Sequence, residues 1–170
     1  DRVGIEFMCT VFIAKDIATI APLVKRFKVA SAESSDKDFV RRHISNTLGP
    51  IIISYAFGEC AWEYRVERIV NLHCVCAYPT PIEQANLGRV RAYDDGAGEM
   101  CKSPFDGLSD HTTSVLTGAL AVAAGASICE KHCRLVDTPP SNPDFYHSLI
   151  ADAGGLGAYI ENIRIAESAM

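Results

Sequence analysis

Short apolar runs alternate with longer amphipathic stretches along most of the chain. The clearest run is Ile51-Ile52-Ile53, which lacks polar alternation and is therefore typical of a strand covered on both faces. Similar runs predict strands at residues 5–10, 27–30, 51–54, 69–74, 105–108 and 127–130. Helical spacing predicts helices at residues 16–24, 35–46, 63–68, 86–93, 116–124 and 159–170. Six strands that alternate with helices predict βαβ units and a parallel sheet, which places the chain in the α/β class.

The length of the chain limits which α/β fold it can form. With 170 residues, of which 48% are hydrophobic and 22% charged, the chain fits one domain with a sizeable core. No linker, repeat or low-complexity tract interrupts it, so we expect residues 1–170 to form a single domain. A closed (β/α)8 barrel typically needs about 250 residues. Six predicted units are therefore too few for a complete barrel.

Charge and hydropathy exclude two classes of partner. The chain has 16 basic and 21 acidic residues, and no basic stripe with interleaved aromatic residues. We therefore expect no nucleic-acid binding. The longest apolar run, residues 115–129, contains two glycines and is too short to span a bilayer, so we expect no membrane partner.

The cysteines indicate a reducing compartment. There are seven of them, an odd number with irregular spacing, in a chain that has enough apolar residues for a core without disulfides. Residues 73–76 and 130–133 contain Cys and His, but neither segment has the Cys-x-x-Cys spacing of a structural zinc site. We therefore expect mostly buried, reduced thiols and a cytoplasmic location.

Polar residues capable of chemistry follow each predicted strand. Because the carboxyl ends of parallel strands meet at one face, we expect a ligand site there. The residues concerned are Thr10, Ser31, Glu33, Ser54, His73, Cys74, Tyr78, Ser109, Asp110, His111, Glu130, Lys131 and His132.

Two of these residues suggest a metal site. His111 and His132 follow neighbouring strands, and two neutral imidazoles suit Mn²⁺, Fe²⁺, Zn²⁺ or Co²⁺ better than Ca²⁺. Either histidine alone is more often a hydrogen-bonded structural residue, and that reading stays open at this point. Of the other histidines, we expect His73 to be packed and His43 to be solvated on a basic helix face, while His147 is undecided.

Cations inside an acidic chain suggest an anion site. Lys28 lies between Phe27 and Val29 in a predicted strand, where a lysine is costly without a partner. Lys131 is a second candidate contact for a phosphate or carboxylate, whereas for Arg134 we favour a solvated or ion-paired side chain. Dinucleotide binding is not expected, because residues 154–157 lack the G-x-G-x-x-G spacing and a preceding strand.

Six segments together carry a resemblance to a known family. Gly-Leu-Ser-Asp-His-Thr at residues 107–112 is followed by Glu-Lys-His at 130–132. Four segments precede them: Gly-Ile-Glu-Phe-Met-Cys-Thr at 4–10, Phe-Lys-Val-Ala-Ser-Ala-Glu at 27–33, Pro-Ile-Ile-Ile-Ser at 50–54 and Leu-His-Cys-Val-Cys-Ala-Tyr-Pro-Thr-Pro at 72–81. In this order and spacing they resemble strands three to eight of the N-acetylneuraminate (sialic acid) synthase family.

The resemblance implies a (β/α)8 TIM-barrel type fold that is incomplete here, with six βα units and without strands one and two. Such a sheet exposes two unpaired edges. We therefore expect either further N-terminal residues that supply the missing strands or pairing between copies of the chain as a homodimer.

The resemblance also implies an activity. It is the condensation of phosphoenolpyruvate with an N-acetylated hexosamine, such as N-acetylmannosamine, to give a nonulosonic (sialic) acid and phosphate, assisted by Mn²⁺ or Mg²⁺. His111 and His132 would bind the metal, and Glu33 and Glu130 would act in catalysis by moving protons or orienting water. The implied substrate-binding residues are Lys28, Ser31, Ser54, Cys76, Tyr78, Ser109 and Asp144, of which Tyr78 and Asp144 would contact the sugar.

Some residues depart from the family pattern. Cys76 stands where the family commonly has a polar residue, often Asn, and Ser54-Tyr55-Ala56-Phe57 replaces Ser-Thr-Gly-Met, which removes a glycine from a phosphate-binding turn. Two alternatives to a sialic acid synthase therefore remain. One is a related phosphoenolpyruvate-dependent aldol synthase for another sugar, and the other is a degenerate, non-catalytic barrel that binds a ligand or partner.

Overall fold

The computed structural model describes residues 4–56, 67–91, 93–94, 100–101 and 105–170. The chain divides into two compact units, Asp1–Asn71 and Leu72–Met170. Each unit is an α/β arrangement of parallel strands, as predicted. The expectation of a single domain stays a prediction.

The first unit is built on three parallel strands. They are β1 (Cys9–Thr10), β2 (Phe27–Val29) and β3 (Ile51–Tyr55), and β2 pairs with both of the others. All five residues of β3 are buried, as its unbroken apolar sequence predicts. The strand predicted at residues 5–10 is shorter than expected. Cys9 pairs with Phe27, the first residue of β2, so the residues before Cys9 have no residue of β2 opposite them.

Two helices accompany these strands. The helix predicted at residues 16–24 is only α1 (Ile17–Ile20), which lies between the 3₁₀ turns Ala14–Asp16 and Ala21–Leu23. Proline in the second turn lacks the amide hydrogen that a continuing helix needs. The next helix, α2 (Lys37–Asn46), is confirmed, and the Asp36 side chain caps it by accepting from two amides of its first turn.

The second unit contains the remaining strands. β4 (Ile69–Cys74) begins at the end of the first unit and continues into the second. The later strands are β5 (Tyr93–Asp94), β6 (Met100–Cys101), β7 (Gly107–Asp110), β8 (Ile128–Lys131), β9 (Cys133–Arg134) and β10 (Leu149–Ile150). β4, β7 and β8 form a parallel sheet in that order, β9 pairs in parallel with β10, and β5 pairs antiparallel with β6.

Two helices pack against each other in this unit. They are α3 (Thr117–Ala123) and α4 (Ala158–Ser168), close to the predicted 116–124 and 159–170. Gly118 permits the contact, because a Cβ there would lie 2.5 Å from Cζ of the buried Tyr159 ring. The apolar side of β7 packs on α3 in a core that contains Leu108 and Ala121.

Other predicted helices differ from the structure. The predicted helix at residues 86–93 is only the 3₁₀ turn Leu87–Arg89. Asn86, the residue before the turn, has a left-handed backbone (φ 51°) and is not helical. Most of the predicted helix at residues 63–68 lies outside the described residues. In the described part of the chain, no helix is both long and apolar enough to span a membrane.

The thiols and one histidine also differ from prediction. Among the thiols that the structure describes, only Cys74 is buried, while Cys76, which follows β4, and Cys133, the first residue of β9, are free and exposed. His43 is fully buried instead of solvated, since it lies on the inner face of α2 with its ring edge-on to Phe27 and Phe39. Its Nδ1 donates to the carbonyl oxygen of Phe39. His73 is buried as predicted, with Nε2 donating to the carbonyl of Ala85.

A buried ion pair joins the ends of β7 and β8. Nζ of Lys131 lies 3.0 Å from Oδ2 of Asp110, and the two side chains are 4% and 0% exposed. The same ammonium donates to the carbonyl of Thr112, whose amide donates to Oδ1 of Asp110 at 2.8 Å. Asp110 and Lys131 are directly opposite each other in the strand register. The pair therefore holds the two strand ends together and orders the segment that follows β7.

Removing one partner of this pair should strongly destabilise the protein. We expect Lys131→Met to lower the free energy of unfolding by about 3–5 kcal/mol, because it leaves a buried carboxylate uncompensated. Asp110→Asn combined with Lys131→Met should recover part of the loss, which urea unfolding in a double-mutant cycle would measure. Arg41→Met, which removes an exposed ion pair to Asp38, is the matched control and should change little. A Lys131→Met protein as stable as the control would contradict the prediction.

Burial of His43 should make stability depend on pH. Burial lowers the pKa of His43, so the folded protein keeps the ring neutral while the unfolded chain takes up a proton below about pH 6.5. Its contribution to stability is therefore full above that pH and falls as pH decreases, by up to about 1.4 kcal/mol per pH unit. His43→Phe keeps a ring between Phe27 and Phe39 and should weaken the pH dependence measured by urea unfolding. Identical pH dependence in both proteins would show that His43 does not contribute.

Candidate active site at the ends of β7 and β8

The pleat of β7 and β8 sorts their side chains onto two faces. Ser109 is opposite Glu130 and Asp110 is opposite Lys131 in the register. Since alternate residues of a strand point to opposite faces, Ser109 and Glu130 share one face while Asp110 and Lys131 share the other. The hydroxyl of Ser109 donates to Oε2 of Glu130 at 2.7 Å. The next residues on that first face are His111 and His132, immediately beyond the strands.

Hydrogen bonds determine which nitrogen of His111 carries its proton. Nδ1 lies 2.7 Å from the carbonyl oxygen of Val75, which can only accept, so Nδ1 is the donor. Nε2 lies 3.4 Å from Oγ of Ser109, whose single hydrogen is directed to Glu130. Burial lowers the pKa of His111, which favours the neutral ring. The lone pair of Nε2 is therefore available to a ligand or metal.

The ring of Tyr78 packs against three imidazoles. Its ring centroid lies 4.2 Å from that of His111, 5.9 Å from that of His132 and 4.9 Å from that of His147. Tyr78 is itself 47% exposed, so one side of this ring cluster is open to solvent. A hydrophobic and partly exposed wall beside three imidazoles is suited to a small ligand with polar and apolar faces.

His132 has an acidic neighbour. Oδ1 of Asp144 lies 3.5 Å from Nδ1 of His132 and 3.1 Å from Nε2 of His147. Burial and, next, the nearby His147 lower the pKa of His132, while Asp144 opposes that shift. The sequence left His147 undecided, and the structure places it among the predicted site residues. Its position depends on the pairing of β9 with β10, two strands of two residues each that leave no periodic signal.

The predicted site residues divide between the two units. Tyr78, Ser109, His111, Glu130, His132 and Asp144 belong to the second unit and lie in the contacts just described. Cys76 follows β4 in the same unit and is exposed. Arg134 donates to the carbonyl of Phe145 and lies over its ring at 4.1 Å, so it supports the turn that carries Asp144.

The other predicted residues follow β2 and β3 in the first unit. Lys28 is buried within β2, and its Nζ donates to the carbonyl of Val29 at 2.9 Å. Ser31 and Ser54 are also buried. Oε2 of Glu33 is buried and has no hydrogen-bond partner among the described residues. A buried carboxylate oxygen without a partner is costly, which is typical of a group that meets a substrate or solvent molecule.

The donor chemistry of the second unit fits a divalent metal. Three imidazoles and one carboxylate lie near one another, and His111 keeps a free lone pair on Nε2. Imidazole and carboxylate together suit Mn²⁺ and the later first-row metals. Which of these side chains bind the ion stays a prediction.

Comparisons with known proteins agree with the six-segment resemblance. The NeuB family matches residues 1–170. The N,N'-diacetyllegionaminic acid synthase of Legionella pneumophila is 31% identical over 185 residues, which cover 100% of this chain and 49% of that protein. The pseudaminic acid synthase of Campylobacter jejuni is 33% identical over 184 residues, which cover 98% of this chain and 49% of that protein.

A solved structure supports the same fold. The spore coat polysaccharide biosynthesis protein spsE of Bacillus subtilis matches with a TM-score of 0.76 at 23% identity, covering 96% of this chain and 47% of that one. The chain thus spans about half the length of the proteins it matches. With a family match over every residue and relatives above 30% identity, the chain belongs to the NeuB family.

Proposed function

We propose that the chain is part of a synthase that condenses phosphoenolpyruvate with an N-acetylated amino sugar to give a nonulosonic (sialic-type) acid and phosphate. The observation that carries the proposal is the face at the ends of β7 and β8, where Ser109 donates to Glu130 and His111 and His132 follow. Membership of the NeuB family supports it, since two relatives are named as synthases of legionaminic and pseudaminic acids.

The reaction forms one carbon–carbon bond and breaks one carbon–oxygen bond. C3 of phosphoenolpyruvate attacks the aldehyde carbon of the open-chain sugar, and the aldehyde oxygen takes a proton to become a hydroxyl. Water adds at C2, and the bond from C2 to the phosphate oxygen then breaks, leaving a 2-keto acid and phosphate. A bound divalent metal supplies Lewis-acid polarisation of the aldehyde oxygen.

The side chains of the second unit take roles that fit this chemistry. We assign His111 and His132 to the metal, Tyr78 and Asp144 to the sugar, and Ser109 and Cys76 to phosphoenolpyruvate. Support for a neutral His111 comes from its bond to Val75 and from burial, which lowers its pKa. The open side of the Tyr78 ring provides a surface on which a sugar ring can lie.

Proton transfer is assigned to two carboxylates. Glu130 accepts the hydrogen of Ser109, so it can take a proton from a bound molecule that displaces or joins that hydroxyl. Glu33 has a buried oxygen without a hydrogen-bond partner among the described residues, and a water molecule or substrate hydroxyl would satisfy it. Lys28, Ser31 and Ser54 are assigned to the phosphate and carboxylate of phosphoenolpyruvate from the family resemblance.

The identity of the sugar distinguishes members of this class. The two relatives above are named for two different acids, and the name of one of these acids states that it is diacetylated. We therefore extend the proposed acceptors from N-acetylmannosamine to N,N'-diacetylated hexosamines. Product mass separates them, because each acceptor adds its own mass to the three carbons of the keto acid.

Cellular location and pairing complete the proposal. We place the protein in the cytoplasm, and the free thiols of Cys9, Cys76, Cys129 and Cys133 support a reducing compartment. We also propose that two copies pair. Support comes from large exposed apolar side chains beside β1, among them Ile5 and Phe7, which are 73% and 68% exposed.

The activity can be tested by phosphate release. With phosphoenolpyruvate, Mn²⁺ and a panel of mono- and diacetylated hexosamines, we expect metal-dependent release of phosphate with one acceptor. His132→Ala and His111→Ala should abolish it, and Glu130→Gln should lower kcat by about 10²–10⁴-fold, because proton transfer is lost. A folded protein that releases no phosphate with any acceptor would support the non-catalytic alternative instead.

Glu161→Gln is the matched control for that series. Glu161 is exposed on α4 and has no role in the proposed site, so the substitution removes a carboxylate of the same type without touching the chemistry. Phosphate release by this variant should equal that of the wild type. Equal losses in Glu130→Gln and Glu161→Gln would show that the effect is not specific to the site.

Pairing can be tested by light scattering. We expect twice the mass of one chain in solution, because apolar side chains beside β1 would be covered by a second copy. Ile5→Lys with Phe7→Lys should shift the mass toward that of a single chain. A wild-type protein that is a well-behaved monomer would contradict pairing.

A further inference from the structure

A cavity of about 380 Å³ lies next to the ring cluster of the candidate site. It is lined by residues 79–82, which directly follow Tyr78, and by residues 112–114, which directly follow His111. A volume of this size is at the lower end of the range of small-molecule sites. None of the residues assigned above to metal, sugar or phosphoenolpyruvate lines it. The cavity is therefore a further space beside the candidate site.

Hydrogen bonds hold the two walls of the cavity together. The amide of Thr80 donates to the carbonyl of His111 at 2.9 Å. Nδ1 of His111 donates to the carbonyl of Val75 at 2.7 Å, and the ring centroids of His111 and Tyr78 lie 4.2 Å apart. Because these contacts fix both walls before anything binds, little ordering would be needed when a ligand enters.

The side chains that line the cavity are uncharged. They belong to two prolines, one isoleucine, three threonines and one serine. Phosphoenolpyruvate carries a phosphate and a carboxylate, and proteins hold such anions with fixed cations or oriented N–H donors. An uncharged lining therefore favours a neutral group, which among the proposed substrates belongs to the sugar.

The lining offers both hydrogen bonds and apolar contact. Oγ of Ser114 accepts from the amide of Leu116 at 3.0 Å, so its own hydrogen can be donated to a ligand carbonyl. Oγ1 of Thr80 donates to the carbonyl of Ala77 at 2.8 Å, so its lone pairs can accept from a ligand N–H. Ile82 and the two prolines can contact a methyl group. A carbonyl, an N–H and a methyl group together make an acetamido group.

We propose that this cavity binds an acetamido group on the half of the acceptor sugar remote from its aldehyde, so that Ile82 and Thr113 select diacetylated hexosamines. The inference rests on the proposed function and deepens it. In that function the aldehyde lies at the metal ligands, and an acetamido group at C2 is close to it, beside Tyr78. Pro79 and Thr112 are one residue farther along each wall, a step of about 3.8 Å between Cα atoms. The cavity is therefore placed to meet the far half of the sugar.

Titration calorimetry with the sugar tests the cavity. The probes are N-acetylmannosamine and two derivatives in which a second acetamido group replaces the hydroxyl at C4 or at C6. Mn²⁺ is present and phosphoenolpyruvate is absent. We expect at least one diacetylated probe to bind about tenfold or more tightly than N-acetylmannosamine. N-acetylmannosamine 6-phosphate should bind no more tightly than N-acetylmannosamine, because none of the lining residues is charged.

Two variants fill the cavity from opposite walls. Ile82→Trp starts from a side chain that is 48% exposed, and it should lower the ratio of affinities for the diacetylated probe and N-acetylmannosamine by about tenfold. Thr113→Trp, also at an exposed position, keeps the test valid if Ile82→Trp does not fold. Ile160→Trp on α4 is the matched control, because Ile160 is 47% exposed and does not line the cavity. It should leave the ratio unchanged, and thermal melting confirms that each titrated protein is folded.

Two results would overturn the assignment of the cavity. One is a wild-type chain that binds neither diacetylated probe more tightly than N-acetylmannosamine. The other is an unchanged ratio of affinities in both Ile82→Trp and Thr113→Trp. Since phosphoenolpyruvate is absent, the titrations stand apart from the phosphate-release assay. Selective binding without phosphate release would overturn the proposed reaction and leave the cavity assigned, whereas phosphate release with an unchanged ratio in both variants would do the reverse.

Discussion

The buried ion pair between Asp110 and Lys131 is the constraint on which the candidate site depends. It joins directly opposite residues at the ends of two parallel strands, and the residue that follows each strand is an imidazole of the site. Without the ammonium, Asp110 would be a buried anion, and the segment through Thr112 would lose the hydrogen bonds that order it. The ion pair on one face of the sheet holds the ends of β7 and β8 together. It therefore fixes the positions of His111 and His132, which follow these ends on the other face.

Burial determines the protonation state of those imidazoles and therefore what they can bind. It lowers the pKa of both His111 and His132, so the rings are held neutral and keep a lone pair for a ligand. The carbonyl of Val75 directs that lone pair by binding the opposite nitrogen of His111. Tyr78 packs against the rings and leaves one side open. Neutral nitrogen donors beside carboxylates suit a divalent metal.

The sequence predicted those elements that depend only on the pattern of neighbouring residues. The buried strand β3 was predicted because its apolar run is unbroken, and α2 because Asp36 caps an amphipathic segment. His43 was wrongly expected in solvent because it follows Arg41 and Arg42, whereas its burial depends on Phe27 from a distant strand. His147 was undecided because two very short strands place it. The family resemblance supplied roles that neither periodicity nor spacing could have assigned.

Successive side chains of β8 point to opposite faces of the sheet, and this limits how the sequence of the strand can change. Insertions in the loops shift nothing in the register, but a deletion within β8 would exchange its two faces from that point on. Cys133 would then take the place of His132, and a thiol would replace an imidazole beside Tyr78. Lys131 would at the same time lose its ion pair with Asp110. Variation in chain length among related proteins should therefore be absorbed between the strands and not within β8.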